Sequence, residues 1–153
     1  MAIDIDLTTE NVNNRKPQVR QDFVRWLSER GIPIEVVEAE ATSKHHLDEA
    51  FGAAAIMDIE MEAAGKYARR GDMDAVAYIL ANAKVTKDFV YEKLMSAYGR
   101  SLTGPTLWTP QGERSLLETG VNGSMAQWRD YLMERFENAI KACELHEHTG
   151  ASR

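Results

Sequence analysis

The stretch that most limits how this chain can fold is residues 43–70, where apolar residues recur at helical spacing for about seven turns. Ser43 is a favourable N-terminal cap, Gly71 is a favourable stop, and Asp72 can cap the element that follows. The apolar residues of this predicted helix cover more than one face: Leu47, Phe51, Ala54, Ile56, Met57, Ile59, Met61, Ala64 and Tyr67. A helix that is apolar on several faces needs neighbours on several sides. We therefore expect it to be the central helix of a bundle.

Shorter amphipathic patterns flank this helix on both sides. Pro17 suits the first turn of a helix at residues 16–30, where its missing N–H is not needed. Near the C-terminus, Ser124 and Gln127 form a capping box that opens a helix with one clean apolar stripe. In total, the sequence predicts helices at residues 16–30, 43–70, 73–82, 86–98, 114–119 and 124–143, and a loop at 101–112.

Two short stretches, residues 2–7 and 32–37, alternate apolar and polar side chains instead. This pattern predicts two short strands that pair with each other, or two extended connections if they do not. The fold class is mainly α, a single-domain helical bundle of about 5–6 helices. We expect the domain to cover residues 1–145 and the polar residues 146–153 to form a flexible tail.

The composition is that of one ordinary globular domain. The 153 residues are 44% hydrophobic and 27% charged, which is enough to build a core. No apolar run approaches the roughly 20 residues that span a bilayer. The N-terminus has neither the basic start nor the apolar centre of a signal peptide, so we expect a cytoplasmic protein. The one cysteine, Cys143, lies in an apolar helical pattern and is expected to be a small buried hydrophobe.

The negative charge of the chain is concentrated in one segment. Residues 35–62 contain eight acids and one base, Lys44, which gives a local charge of −7 within a net charge of −6. Such a surface can attract a basic partner. The sequence therefore predicts a non-catalytic protein-interaction module, an accessory or inhibitory factor whose acidic surface meets a basic partner protein. The candidate partner-binding residues are Glu35, Glu38, Glu40, Asp58, Glu60 and Glu62.

A second hypothesis comes from residues 78–94. A helix, a turn at Ala83-Lys84-Val85 and a second helix capped by Thr86 resemble the helix-turn-helix of bacterial transcriptional regulators. The resemblance implies DNA binding as a homodimer, with the amphipathic helix 124–143 as the dimer contact. This hypothesis places the following residues against DNA, including basic side chains near the motif: Arg69, Arg70, Lys84, Thr86, Lys87 and Tyr91.

Catalytic and metal-binding patterns are weak in this sequence. His45 and His46 are adjacent, so they point to different faces of a helix, and no phosphate-binding glycine loop or nucleophile motif accompanies the carboxylates. His146 and His148 lie in the predicted tail. We expect no enzymatic activity, no metal and no cofactor.

Overall fold

The computed structural model describes residues 3–97 and 123–151, with the side chains of residues 3–97 and 127–144. Within these residues the protein consists of helices without a strand, so the predicted mainly α fold is confirmed. The helices are α1 (Thr9–Ser28), α2 (Ile34–Ala39), α3 (Lys44–Arg69), α4 (Met73–Ala97) and α5 (Gly123–Ala151).

The long helix α3 is the centre of the bundle, as its several apolar faces predict. It packs along α4 in a hairpin and also contacts α1 and α5. Its predicted ends are confirmed, because the Ser43 hydroxyl accepts a hydrogen bond from the His46 N–H at 3.3 Å. Gly71 has a φ of +77°, the left-handed conformation that reverses the chain after α3. Asp72 then accepts a hydrogen bond from the Ala75 N–H at 3.2 Å and starts α4.

Two groups of apolar side chains hold the helices together. The larger group lies between α1, α3, α4 and α5 and is centred on Trp128, whose ring lies 4.0 Å from Phe23 and 4.9 Å from Phe51 between centroids. The smaller group lies at the closed end of the α3–α4 hairpin and includes Tyr67, Ile79 and the buried Cys143. The prediction that Cys143 is a buried hydrophobe is confirmed.

Neither predicted strand is a strand in the structure. Residues 3–8 are non-helical and lie against the hairpin, where the Asp4 N–H donates a hydrogen bond to the Tyr67 hydroxyl at 2.8 Å. Residues 32–37 were wrongly predicted, because the chain forms α2 from Ile34 onward. Ile34 and Val37, three residues apart, are both buried, and this is helical rather than alternating spacing.

The predicted start of the first helix was also wrong. The helix begins at Thr9, because the Thr8 hydroxyl accepts the Asn11 N–H at 3.3 Å and caps it. Pro17 therefore lies inside α1 rather than in its first turn. It sits on the exposed side, where the helical carbonyl that it leaves without a donor can face water.

The predicted turn at residues 83–85 does not form, and α4 is one continuous helix. No glycine or proline interrupts residues 73–97, and Ala83 is buried in line with Ile79 and Leu94 on the core face. The Thr86 hydroxyl contacts the Asn82 carbonyl of the preceding turn at 3.0 Å instead of capping a new helix.

The last helix confirms the apolar stripe of residues 124–143 and continues to Ala151, beyond the expected end of the domain at residue 145. Its stripe is buried in the core of the same chain. The predicted loop at 101–112, the short helix at 114–119 and the side chain of the proposed cap Ser124 lie outside the described residues. No described helix is both long and apolar enough to cross a membrane.

Candidate functional site

Two buried carboxylates on α3 have different surroundings and therefore different possible roles. Asp58 and Glu60 are only 6% and 4% exposed. They are two residues apart, which turns them by about 200° around the helix axis. Asp58 therefore faces α1 and α5, whereas Glu60 faces α4. Their environments differ in the way that decides what each can do.

Asp58 is fully engaged in an ion-pair cluster that joins three helices. Arg15 of α1 contacts one oxygen at 2.9 Å, and Arg135 of α5 contacts the other. Arg15 also pairs with Glu62 at 2.5 Å, and Arg135 lies 3.4 Å from Asp22. A buried charge with hydrogen-bonded partners on both oxygens is a structural element. We call these five residues the Asp58 cluster.

Glu60 has no such neutralisation. The Thr86 hydroxyl donates a hydrogen bond to its Oε1 at 2.6 Å, and no cation pairs with it among the described residues. Burial raises the pKa of the Glu60 carboxyl, and the hydrogen bond from Thr86 partly opposes this. Buried carboxylates are normally paired, so an unpaired one beside a cavity is a candidate functional group.

Glu60 lies in a groove of about 790 Å³ between the N-terminal segment and α4. One wall is apolar and comes from residues 3–7, whose alternation places Ile3, Ile5 and Leu7 along the groove. The other wall is α4. The lining residues from the two helices are Glu60, Asp74, Tyr78, Asn82, Val85 and Thr86. Glu60 and Asp74 are the charged residues of this lining, so the groove is apolar and acidic.

An exposed apolar stripe on α4 extends this groove. Tyr78, Val85 and Phe89 are 60%, 69% and 43% exposed, and their spacing of seven and four residues places them on one face of the helix. Leu7 on the opposite wall is 44% exposed. Contiguous exposed apolar side chains commonly mark a binding surface. We use the name α4 groove for the groove lining, which includes Leu7, together with the exposed stripe of Tyr78, Val85 and Phe89.

The predicted acidic surface is not a single surface. Asp58 is enclosed in its cluster, so its assignment to an exposed partner-binding surface was wrong. Glu38 pairs with Arg20 at 2.8 Å, and Glu62 belongs to the Asp58 cluster. Glu35 is exposed and Glu40 is half-buried, both near the end or start of α2. Of the six candidates, Glu60 alone lines the α4 groove.

The residues predicted to face DNA lie on two helices and differ in exposure. Arg69 and Arg70 are exposed at the end of α3, and Lys84 is exposed on α4. Thr86 is engaged with Glu60, and Tyr91 is buried. The Lys87 ammonium lies 4.8 Å from the Phe136 ring centre, and burial lowers its pKa. The apolar face of α5 is covered within the chain, and a dimer through helix 124–143 stays a prediction.

Sequence reasoning missed Tyr78, Val85 and Phe89 because it divided α4 at residues 83–85. The signal was present: these three side chains fall outside the buried stripe of the same helix. The described residues contain no group of three or more His, Cys, Asp or Glu side chains that could hold a metal.

Comparisons with protein-family models, curated proteins and solved structures find no match for this chain.

The unpaired Glu60 leads to a prediction about stability. A raised pKa means that the folded state holds a proton at pH values where the unfolded glutamate, near its ordinary value of 4.5, has lost it. The free energy of unfolding then falls as the pH rises through this window. Glu60→Gln keeps an acceptor for Thr86 without the charge, so it should remove this fall and raise stability at neutral pH by about 1 kcal/mol.

Urea denaturation between pH 4 and pH 8 measures this effect. The matched control is Asp74→Asn, which removes an exposed carboxylate from the same groove and should leave the fall intact. If Glu60→Gln showed the wild-type pH profile, Glu60 would not be the group that titrates with folding.

Proposed function

We propose that the protein is a non-catalytic interaction module that binds a segment of a partner protein in the α4 groove. The observation that carries this proposal is the exposed apolar stripe of Tyr78, Val85 and Phe89 beside that groove. Covering apolar side chains releases about 25 cal/mol for each Å² removed from water. A partner that covers three such side chains gains this energy without first unfolding any part of the bundle.

The shape of the groove favours a protein segment over a small molecule. Its walls are a helix and an extended segment, and it is open to solvent along its length. Small-molecule sites are usually enclosed on most sides. A helix or extended peptide of a partner lays one face into an open groove and makes apolar contacts at regular spacing.

We again propose a basic partner, as the sequence predicts, but the acidic surface that it would meet is a different one. The acids that matter here are Glu60 and Asp74 within an apolar groove, rather than the charge block at residues 35–62. Most acids of that block have arginine or lysine partners on their own chain: Asp48 with Lys16, Glu38 with Arg20, Glu49 with Lys93, and Asp58 and Glu62 with Arg15.

Site-specific photocrosslinking in the native host tests the proposal. A benzophenone amino acid replaces Tyr78 in the α4 groove or, as the matched control, Gln21, an exposed residue of α1. We expect a discrete crosslinked protein from position 78 and none of that mass from position 21. Val85→Glu places a charge in the apolar stripe and should reduce this product at least tenfold, because an unpaired charge would be buried by binding.

A second crosslinking experiment, in lysate of the same cells, separates this proposal from DNA binding. DNA binding stays a prediction from residues 78–94. Nuclease treatment before irradiation should leave the crosslink from position 78 unchanged. A product that disappears with nuclease would support the DNA-binding hypothesis. Equal crosslinking from positions 78 and 21, or no effect of Val85→Glu, would contradict the proposal that the α4 groove is the binding surface.

A further inference from the structure

We infer that Glu60 is the specificity-determining residue of the α4 groove and that it receives an arginine or lysine side chain from the partner segment. The inference rests on the proposed function and names the chemistry that this function requires of the partner. A neutral apolar segment would satisfy the stripe on α4 and leave the carboxylate unpaired. A segment with a basic side chain beside its apolar residues satisfies both.

The first step of the argument is the difference between the two buried carboxylates of α3. Among the described residues, Asp58 has two arginine partners, whereas Glu60 has one hydroxyl partner, Thr86, and no cation. A buried carboxylate without a cation destabilises the fold, so its energy cost needs a compensating role. The described residues provide a cation for Asp58 and none for Glu60, and we infer that another molecule supplies the second one.

The second step is the hydrogen bonding around Glu60. The Thr86 Oγ1 lies 2.6 Å from Glu60 Oε1 and 3.0 Å from the Asn82 carbonyl oxygen. A hydroxyl has one proton, so it can donate fully to one of these acceptors at a time. Among the residues that the structure describes, the second carboxylate oxygen, Oε2, has neither a hydrogen bond nor an ion pair.

These distances fit two complementary arrangements. When Glu60 is protonated on Oε1, it donates to Thr86 Oγ1, and Thr86 donates to the Asn82 carbonyl oxygen. When Glu60 is ionised, Thr86 donates to Oε1, and an entering basic side chain can donate to Oε2. The basic side chain favours the ionised arrangement, because it gives Oε2 a partner that the protonated arrangement lacks among the described residues.

The third step is the charge of the surroundings. The other titratable groups in the groove lining are Asp74 and Tyr78 of α4, and the facing wall of Ile3, Ile5 and Leu7 contributes none. Among the described residues, no lysine or arginine is part of this lining. The Lys93 ammonium lies 5.1 Å from the Phe89 ring at one end of the stripe and is paired with Glu49. A cation that enters beside Glu60 therefore meets acidic groups, whereas an acidic side chain would be repelled.

The probe for this inference is a phage-displayed library of random 16-residue peptides, selected on the full-length protein. Peptides that lose binding to Val85→Glu are kept as binders of the α4 groove. We expect them to share an arginine or lysine at a fixed position next to apolar residues. Selection on Glu60→Gln should give groove binders without this basic position.

A double-mutant cycle on one such peptide gives the decisive measurement. Glu60→Gln in the protein and arginine→citrulline in the peptide should each weaken binding at least tenfold, and the two together should weaken it no further. Glu35→Gln is the matched control and should change affinity by less than about threefold, because this carboxylate is exposed on α2 and outside the lining of the groove. Circular dichroism confirms that each variant is folded.

The pH dependence gives a second readout. With a peptide that has no other titratable side chain, affinity should fall as the pH is lowered, since the Glu60 proton competes with the cation. The fall should persist in Glu35→Gln and be absent from Glu60→Gln. Additive effects in the cycle, or groove binders without a basic residue, would overturn the role of Glu60 and leave the proposed function intact. If no selected peptide depended on Val85, both would be overturned.

Discussion

Replacing Trp128 by alanine is expected to lower the free energy of unfolding by about 4 kcal/mol, because it empties the centre of the larger core. The Trp128 side chain is fully buried and lies against Phe23 and Phe51. Its loss removes two of the aromatic contacts that hold α5 on α1 and α3. Urea denaturation followed by far-ultraviolet circular dichroism measures the change without relying on tryptophan fluorescence.

Two further variants show whether the effect comes from packing. The Trp128 Nε1 has no hydrogen-bond partner among the described residues, so Trp128→Phe removes an unsatisfied donor and should cost less than half as much as alanine. Tyr78→Ala removes an aromatic ring that is mostly exposed and should change stability by less than about 0.5 kcal/mol. A large loss in Tyr78→Ala would place this ring in the core, against the assignment of the α4 groove.

Replacing Asp58 by asparagine is expected to lower the free energy of unfolding by about 3 kcal/mol. The substitution keeps the shape of the side chain and removes the charge that Arg15 and Arg135 share. Breaking a buried ion pair leaves its partners less well compensated, and here Arg15 would keep its pair with Glu62 and Arg135 its contact with Asp22 while both lose Asp58. Both arginines are partly exposed, so we place the effect at the lower end of the range for buried pairs.

The matched control for Asp58 is Glu62→Gln, because Glu62 also pairs with Arg15. Glu62 is largely exposed, and removing its charge should cost less than about 1 kcal/mol. Thermal unfolding of both variants at low and moderate salt compares them directly. Equal losses in the two variants would mean that the Asp58 cluster acts as a surface ion pair and not as the link between α1, α3 and α5.

The caps of α3 show what local sequence can specify. Ser43, Gly71 and Asp72 act on backbone groups within a few residues of themselves, and each does what its residue type predicts. Local sequence was less decisive at the start of α1, where Thr8 and Pro17 each suit the beginning of a helix. Thr8 starts α1 earlier than Pro17 suggested, because a proline is tolerated on the exposed side of a helix that is already capped.

The turn in α4 and the strand at residues 32–37 were wrong for a different reason. The strand depended on a pattern of six residues, which helix and strand share until packing selects one. The turn depended on the resemblance of residues 78–94 to a helix-turn-helix, a short match with a high rate of false positives. Burial of Ala83 against the bundle favours a straight α4, and burial of both Ile34 and Val37 favours a helix. These are contacts with residues far away in the sequence, so no local pattern contained them.

The candidate site was predicted only in part. The sequence drew attention to Glu60 as one of eight acids in a charge block, without distinguishing it from Asp58. Both residues lie on α3 among alternating acidic and apolar residues, so from the sequence either could have been a surface charge. Which of them receives arginines depends on where α1 and α5 place Arg15 and Arg135, and this follows from the packing of three helices.

The amino-acid sequence by itself determined the mainly α fold class, the central position of α3, its two ends, and the amphipathic face of α5, because periodicity and capping act over one or two helical turns. Only the tertiary structure decided which charges are neutralised and which apolar side chains stay uncovered. Tyr78 and Ile79 are neighbours on α4, yet one is exposed and the other is buried. That difference depends on which side of α4 faces the bundle, and it is the physical origin of the α4 groove.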